Sequence, residues 1–167
     1  MGPRPWDDRA MDSRRQTTTA SSTANPGPEP VLFVDTAGWM AMADEGDAMH
    51  ESSRRMRDAF LRDGGILVST DYVMDETLTL LRGRLGLGAA ARWWAQVDVS
   101  TRVRWERIDP VRAEKARSWF FQWRDKDFSF TDCTSFVVMR ELRLRSALTT
   151  DRHFAQAGFE TVPGPSD

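Results

Sequence analysis

The chain has 167 residues, enough for one domain with a hydrophobic core. It is 40% hydrophobic and 29% charged, and its formal net charge of −2 gives no overall basic field that would indicate nucleic-acid binding. Its single cysteine excludes an internal disulfide and fits a reducing cytoplasm, while one cysteine and two histidines cannot form the usual zinc site. No segment approaches the ~18 consecutive apolar residues of a membrane span, so we expect a cytoplasmic protein that is not inserted in a membrane.

The first 30 residues differ in composition from the rest of the chain. They hold five of the eight prolines and a run of Thr, Ser and Ala. Such a segment cannot bury enough apolar surface to offset the entropy of ordering it. We therefore predict a disordered N-terminal extension over residues 1–30 and one domain over residues 31–163.

The first half of the domain reads as two buried strands and four helices. The strands are the short apolar runs VLFV and ILVS, at 31–34 and 66–69. Gly64 and Gly65 end an amphipathic helix, and Asp71 is a suitable N-cap for the one after the second strand. The predicted helices cover residues 36–43, 47–65, 71–85 and 86–99.

The second half continues the alternation of strands and helices. Strands are predicted at 103–108, 146–150 and 159–162, and helices at 110–124, 131–145 and 151–158. Strands that alternate with helices indicate a parallel sheet covered on both faces. The fold class is therefore α/β.

Two aspartates stand where such a sheet binds its ligands. Asp35 directly follows the first strand, and Asp151 directly follows the strand at 146–150. In open parallel sheets, ligands bind beyond the carboxyl ends of the strands. Helix capping explains each aspartate equally well, because a helix follows both.

Glu76 is harder to explain by helix chemistry alone. It has Val73 at i−3 and Leu80 at i+4, which places it at the border of the apolar stripe. The polar face of the same helix is formed by Asp75, Thr79 and Arg82.

Asp132 lies in the stretch FSFTDCTSF, residues 128–136, among aromatic and small side chains. It shares a helix face with Phe136 and Met139, and we expect Thr134, Glu141 and Arg145 to mark the solvated side. Capping remains an alternative, but we favour a functional role because an unpaired buried charge is costly.

Four carboxylates that meet in one crevice repel one another. Two charges ~4 Å apart cost about 4 kcal/mol at an effective dielectric of ~20. Such a cluster persists if its pKa values rise or if cations occupy it, and oxygen ligands select Mg²⁺ or Mn²⁺. Metal-assisted hydrolysis of a phosphodiester is the chemistry that fits.

The ordered blocks FVDTAGWMAMAD, STDYVMDETLTLL and DKDFSFTDCTSF, followed by TTDRHF, resemble the PIN-domain nucleases and, among them, the VapC-like toxins. The resemblance covers roughly residues 31–163. It implies an α/β/α sandwich with a central parallel sheet and an Mg²⁺- or Mn²⁺-dependent endoribonuclease. Its metal-binding and catalytic acids would be Asp35, Glu76, Asp132 and Asp151. It further implies an RNA substrate, a cognate antitoxin and a homodimer.

Other functions stay open at this point. A PIN-like module that binds RNA or protein without cutting would share the pattern. A haloacid-dehalogenase phosphatase would need an acid where Ala37 stands. A receiver domain would need a lysine after a late strand, and a flap-type nuclease would need a longer chain.

Two interpretations fit several residues that flank the predicted acids. Thr36, Ser129, Thr131 and Ser135 are placed to hydrogen-bond the acids or simply to start helices. For His153 we favour a local cap over a phosphate contact.

The aromatic segment 117–124 and a separate run of arginines at 54–57 each fit two interpretations. The segment indicates a core or a subunit interface more than base stacking. Arg54, Arg55 and Arg57 fit either a solvated face or the steering of RNA.

Overall fold

The computed structural model describes residues 27–164, and the predicted extension lies mostly outside this range. Five parallel strands form one sheet in the order β3-β2-β1-β4-β5. The strands are β1 Val31–Val34, β2 Ile66–Thr70, β3 Val103–Glu106, β4 Ser146–Leu148 and β5 Glu160–Val162. The helices are α1 Thr36–Ala43, α2 His50–Arg62, α3 Asp71–Leu85, α4 Leu87–Asp98, α5 Pro110–Gln122, α6 Phe130–Glu141 and α7 Arg152–Gln156.

The α/β/α sandwich with a central parallel sheet is confirmed. Helices α1 to α4 pack on one another, and helices α5 to α7 form a second group. Strand β1 is central because both its neighbours pair with it, and Phe33 and Val34 are fully buried. This position places Asp35, the residue after β1, in the middle of the row formed by the carboxyl ends of the strands. In the described part of the chain, no helix is long and apolar enough to cross a membrane.

Two aromatic clusters fill the core. Trp39 of α1 packs against Trp93 of α4 and Trp105 of β3, with ring centroids 5.6 and 6.1 Å away. The second cluster includes Phe136 and Phe154, whose centroids are 5.0 Å apart. Buried aromatic side chains of this size dominate the burial energy of a domain, so both clusters hold the helices firmly on the sheet.

The predicted cap of α3 is wrong by one residue. Thr70 is the N-cap, and its side chain accepts a hydrogen bond from the backbone N–H of Val73. The carboxylate of Asp71 instead accepts from the backbone N–H of Ile108 at 3.0 Å. Asp71 therefore fixes the segment that follows β3, while a threonine hydroxyl provides the cap.

Helix α6 is shorter and more deeply buried than predicted. It ends at Glu141, not at residue 145, because Arg143 adopts a φ of 55° and the backbone N–H of Leu144 bonds back to the carbonyl of Met139. Thr134 is fully buried, so its assignment to the solvated side is wrong. Residues 132–139 are all buried, so this part of the helix is covered on all sides.

Strand ends also differ slightly from the predictions. β3 stops at Glu106, before the predicted residue 108, and β4 stops at Leu148, before the predicted residue 150. Thr149 and Thr150 therefore separate β4 from Asp151. The extra residues matter, since the hydroxyl of Thr149 contacts two of the acids.

Candidate metal centre

All four predicted acids line one open cleft of about 320 Å³. The cleft lies beyond the carboxyl ends of β1, β2 and β4, where parallel sheets bind their ligands. The first residue after β1, the second turn of α3 and the first turns of α6 and α7 each contribute one acid. The acids are Asp35, Glu76, Asp132 and Asp151.

Asp35 is the deepest of the four, with 3% of its surface exposed. It is the N-cap of α1, and its Oδ2 accepts from the backbone N–H of Ala37 at 3.3 Å and from the Thr149 hydroxyl at 3.0 Å. Burial, and next the negative charge of Asp132, raise the pKa of Asp35 to about 7. The predicted helix cap is therefore confirmed for Asp35. Its two hydrogen bonds do not offset the energetic cost of burying a charged carboxylate.

Glu76 is half-buried and reaches from α3 to α1. The hydroxyl of Thr36 donates to its Oε2 at 2.6 Å. Of the four flanking hydroxyl residues, Thr36 therefore does contact an acid. The contact holds the Glu76 carboxylate toward the side of the cleft where Asp35 lies.

Asp132 is 6% exposed and belongs to a capping box. Ser129, the N-cap of α6, donates its backbone N–H to Oδ2 of Asp132 at 2.9 Å, while its hydroxyl accepts the Asp132 N–H. The same Oδ2 lies 2.9 Å from Nδ1 of His153. Burial raises the pKa of Asp132, and the contacts from Ser129 and His153 partly oppose this shift. Asp132 thus supports its helix and faces the cleft.

Asp151 is the N-cap of α7, and its Oδ1 accepts from the backbone N–H of His153 at 2.8 Å. Its own backbone N–H donates to the hydroxyl of Thr149 at 3.0 Å. Thr149 therefore bridges Asp35 and Asp151. The capping prediction is confirmed here as well, and it leaves the other carboxylate oxygen available to the cleft.

His153 is a neighbour of the acids whose contacts could not be predicted from the sequence. Its ring lies within 4.8 Å of ligand oxygens of Asp132 and Asp151, so these three side chains present a grouping with metal-ligand spacing. The one signal in the sequence was its position two residues after Asp151. Of the other flanking residues, Ser129 contacts Asp132, whereas Ser135 is buried without a hydrogen-bond partner among residues 27–164 and Thr131 contributes only a carbonyl, which binds the Thr134 hydroxyl.

The residues present fit a divalent cation. Two carboxylates more than nine-tenths buried have raised pKa values, and no lysine or arginine forms an ion pair with any of the four acids in residues 27–164. A cation among their oxygens would remove both the repulsion and the cost of burial. Even the neighbouring thiol reflects the local charge, as burial and Asp132 raise the pKa of Cys133 to about 11.

A parallel sheet between two helical layers, with a carboxylate cleft at its strand ends, fits the class of metal-dependent phosphodiesterases. The profile of the PIN domain matches residues 32–160, and the chain belongs to the PIN-domain family. Within that family it is a VapC-type endoribonuclease toxin, of a kind that depends on divalent metal.

Named relatives agree with this placement. The "23S rRNA-specific endonuclease VapC20" proteins of two Mycobacterium tuberculosis strains, CDC 1551 / Oshkosh and H37Rv, are each 35% identical over 132 residues. The match covers 79% of this chain and 98% of each relative. The crystal structure of M. tuberculosis VapC20, described as a sarcin–ricin loop cleaving toxin, superposes with a TM-score of 0.71 at 34% identity. That match covers 77% of this chain and 95% of the VapC20 chain.

Proposed function

We propose that Asp35, Glu76, Asp132 and Asp151 hold Mg²⁺ or Mn²⁺ and that this centre hydrolyses a phosphodiester of ribosomal RNA. The observation that carries the proposal is the convergence of four carboxylates in one cleft, two of them buried with raised pKa values. Oxygen donors in this number favour hard divalent cations.

Hydrogen bonds within the protein fix the orientation of three of the four carboxylates before a cation binds. The Thr149 hydroxyl holds Asp35, the Thr36 hydroxyl holds Glu76, and the N–H of Ser129 holds Asp132. Carboxylates fixed by such partners need little reorganisation when they bind a cation. A bound divalent ion supplies Lewis acidity at the phosphoryl oxygen and lowers the pKa of the attacking water.

The proposed target is a loop of 23S ribosomal RNA. The VapC20 proteins are named for that RNA, and the solved structure for its sarcin–ricin loop. The matched region spans 98% of those proteins, so the likeness covers their whole domain. Sequence-specific RNA recognition acts mainly on unpaired bases in loops, which an open cleft of this kind admits.

We also propose a cytoplasmic location and a cognate antitoxin. Ribosomal RNA is found in the cytoplasm, and the buried Cys133, which the structure leaves unpaired, fits its reducing conditions. An uncontrolled nuclease of this type would stop the cell's own translation. A partner protein that blocks the cleft is therefore part of the proposal.

A homodimer is supported by one aromatic surface patch, formed by the exposed Tyr72, Phe120 and Phe121 and the half-buried Phe130, where α3, α5 and α6 meet. Phe120 is 40% exposed and Phe121 is 64% exposed. Consecutive ring centroids lie 5.3 to 6.1 Å apart from Phe121 through Phe120 and Phe130 to Tyr72. Contiguous exposed aromatics of this kind mark protein interfaces. We assign the patch to a second copy of the chain.

The test is cleavage of purified bacterial ribosomes and of their extracted RNA by antitoxin-free protein. Reactions contain Mg²⁺, Mn²⁺ or EDTA, and the variants Asp35→Asn and Asp132→Asn run beside Asp58→Asn, an exposed acid outside the cleft. Discrete 23S fragments that require metal and both cleft acids are the expected result. RNA bound but intact in every reaction would replace this function with a non-catalytic RNA-binding module.

A further inference from the structure

The cleft poses an electrostatic problem for an RNA strand. A strand that places one phosphate at the carboxylates also brings the next phosphates, on either side, close to the same negative charges. A cation at the acids compensates the scissile phosphate only. The flanking phosphates need positive side chains of their own, placed to the two sides of the acids and not engaged elsewhere.

Arg84 satisfies these requirements on one side. It follows Glu76 by eight residues and Leu80 by four on α3, and with both of them it lines the cleft, about 12 Å along the helix from Glu76. Its side chain is exposed. Within residues 27–164, no carboxylate lies close enough to form an ion pair with it.

Arg152 satisfies them on the other side. It is the first residue of α7, between Asp151 and His153, and its side chain is exposed. It lines a hollow of about 340 Å³ that shares Thr150 and Asp151 with the cleft. It also forms no ion pair with any residue that the structure describes.

The sheet order places the two arginines on opposite sides of the deepest acid. Arg84 is on the helix that follows β2, and Arg152 is on the helix that follows β4. Strand β1, which ends at Asp35, lies between β2 and β4. A strand of RNA that crosses the cleft over Asp35 therefore meets one free guanidinium before the acids and one after them.

Other arginines are less suitable. Arg112 is ion-paired with Glu106 and Glu141 at 3.0 and 2.8 Å. A separate groove between α2 and α4 is lined by Arg54, Arg57 and Arg92. The hollow beside that groove carries Glu45, Asp47 and Glu51 next to Arg54, and Asp47 also lines the cleft, so three carboxylates repel a phosphate backbone between the groove and the acids.

We propose that Arg84 and Arg152 bind the RNA phosphates on the two sides of the scissile bond. This inference rests on the proposed cleavage of RNA and adds the path that the strand takes across the cleft. Guanidinium groups suit this role because they stay charged and donate paired hydrogen bonds to phosphate oxygens.

The experiment measures KM and kcat for cleavage of 23S RNA at several KCl concentrations with Mg²⁺ constant. The variants are Arg84→Gln and Arg152→Gln. The matched controls are Arg82→Gln, on the same helix but outside the cleft, and Arg145→Gln, at the opposite end of β4. Arg84→Lys and Arg152→Lys retain the charge. Thermal unfolding of each variant checks that the fold is intact.

We expect each glutamine variant of the pair to raise KM on the order of fivefold, with kcat within about twofold of the wild type. The slope of log KM against log [KCl] should fall by about 0.7 for each arginine removed. The lysine variants should restore most of the slope, and the controls should not change it. If the wild type cleaves RNA and both glutamine variants keep its slope of log KM against log [KCl], the inference is overturned. If the wild type cleaves no RNA, the proposed function itself is overturned.

Discussion

The carboxyl group of Asp35 makes the stability of the metal-free protein depend on pH. Its pKa is about 7 in the folded chain, against an ordinary value of 3.8. The folded state therefore binds a proton between about pH 4 and pH 7 that the unfolded chain has released. Over that window the free energy of unfolding falls as the pH rises, and the raised pKa of Asp132 acts in the same direction.

We predict that Asp35→Asn flattens this pH dependence. A folded-state pKa of about 7 against 3.8 sets an upper limit of about 4 kcal/mol on the free energy of unfolding lost by pH 8. Asparagine keeps the cap and the acceptor for Thr149, so the variant should be more stable than the wild type at pH 8 and close to it at pH 4. Urea unfolding in EDTA at both values measures this. Equal stability of both proteins at pH 8 would show that Asp35 is ionised without cost.

Thr36 should affect metal affinity through Glu76. Its hydroxyl is the hydrogen-bond donor that orients this carboxylate, at 2.6 Å. Loss of such a partner typically weakens metal binding about 10-fold or more. We predict that Thr36→Val raises the Kd for Mn²⁺ by about that factor in calorimetric titration, while Thr36→Ser stays near the wild type. Equal affinity in the valine variant would contradict an orienting role.

The side-chain contacts of His153 show where prediction from the sequence stopped. Each acid was recognisable alone, because its position relative to a strand end or an apolar stripe could be read along the chain. The contact between His153 and Asp132 joins residues 21 apart on two helices. It depends on how α6 and α7 pack over the sheet, which local pattern does not encode.

Helix α1 lies so close to β4 that its first turn has no room for a larger side chain. A Cβ on Gly38 would overlap the carbonyl oxygen of Leu148 and lie 2.8 Å from its Cδ2. The same carbonyl accepts the backbone N–H of Asp35 at 3.2 Å. The close approach of α1 to β4 is therefore part of what positions the first acid.

We predict that Gly38→Ala lowers the free energy of unfolding by about 2 to 3 kcal/mol and also weakens cleavage, because the backbone at Asp35 must move. Gly83→Ala is the matched control in α3, since a Cβ there meets nothing within 4 Å. Removing glycine from an open helix position should stabilise the protein by about 0.5 to 1 kcal/mol. Denaturant unfolding of both variants tests the contrast. Similar effects of the two substitutions would contradict the close packing of α1 on β4.

The elements themselves were largely predictable, and their ends were less so. Short apolar runs placed the buried strands β1 and β2, because buried parallel strands leave that signature, and alternation of apolar and polar residues placed the edge strand β3. The end of α6 was missed since residues 142–145 continue a helical pattern with no glycine to stop it. The chain turns there because Leu144 bonds back to Met139 and the next strand must begin.

The aromatic patch of Tyr72, Phe120, Phe121 and Phe130 should control the assembly of the whole molecule. We predict that Phe121→Asp weakens dimerisation by at least about 30-fold, because a charge replaces the most exposed aromatic side chain of the patch. Val99→Asp is the control, as Val99 is 78% exposed and lies at the end of α4, outside the patch. Sedimentation velocity across protein concentrations measures the effect. A wild type that remains monomeric at 100-fold above the assay concentration would exclude the dimer.

The contact between Thr149 and Asp35 joins residues 114 positions apart in the chain. Such a contact closes late in folding, because the cost of bringing distant segments together must be met before it forms. A chain that has folded only its first half would carry Asp35 and Glu76 and lack the other two acids. We therefore predict that a partly folded chain cleaves no RNA, so that the onset of cleavage during refolding coincides with completion of the native state.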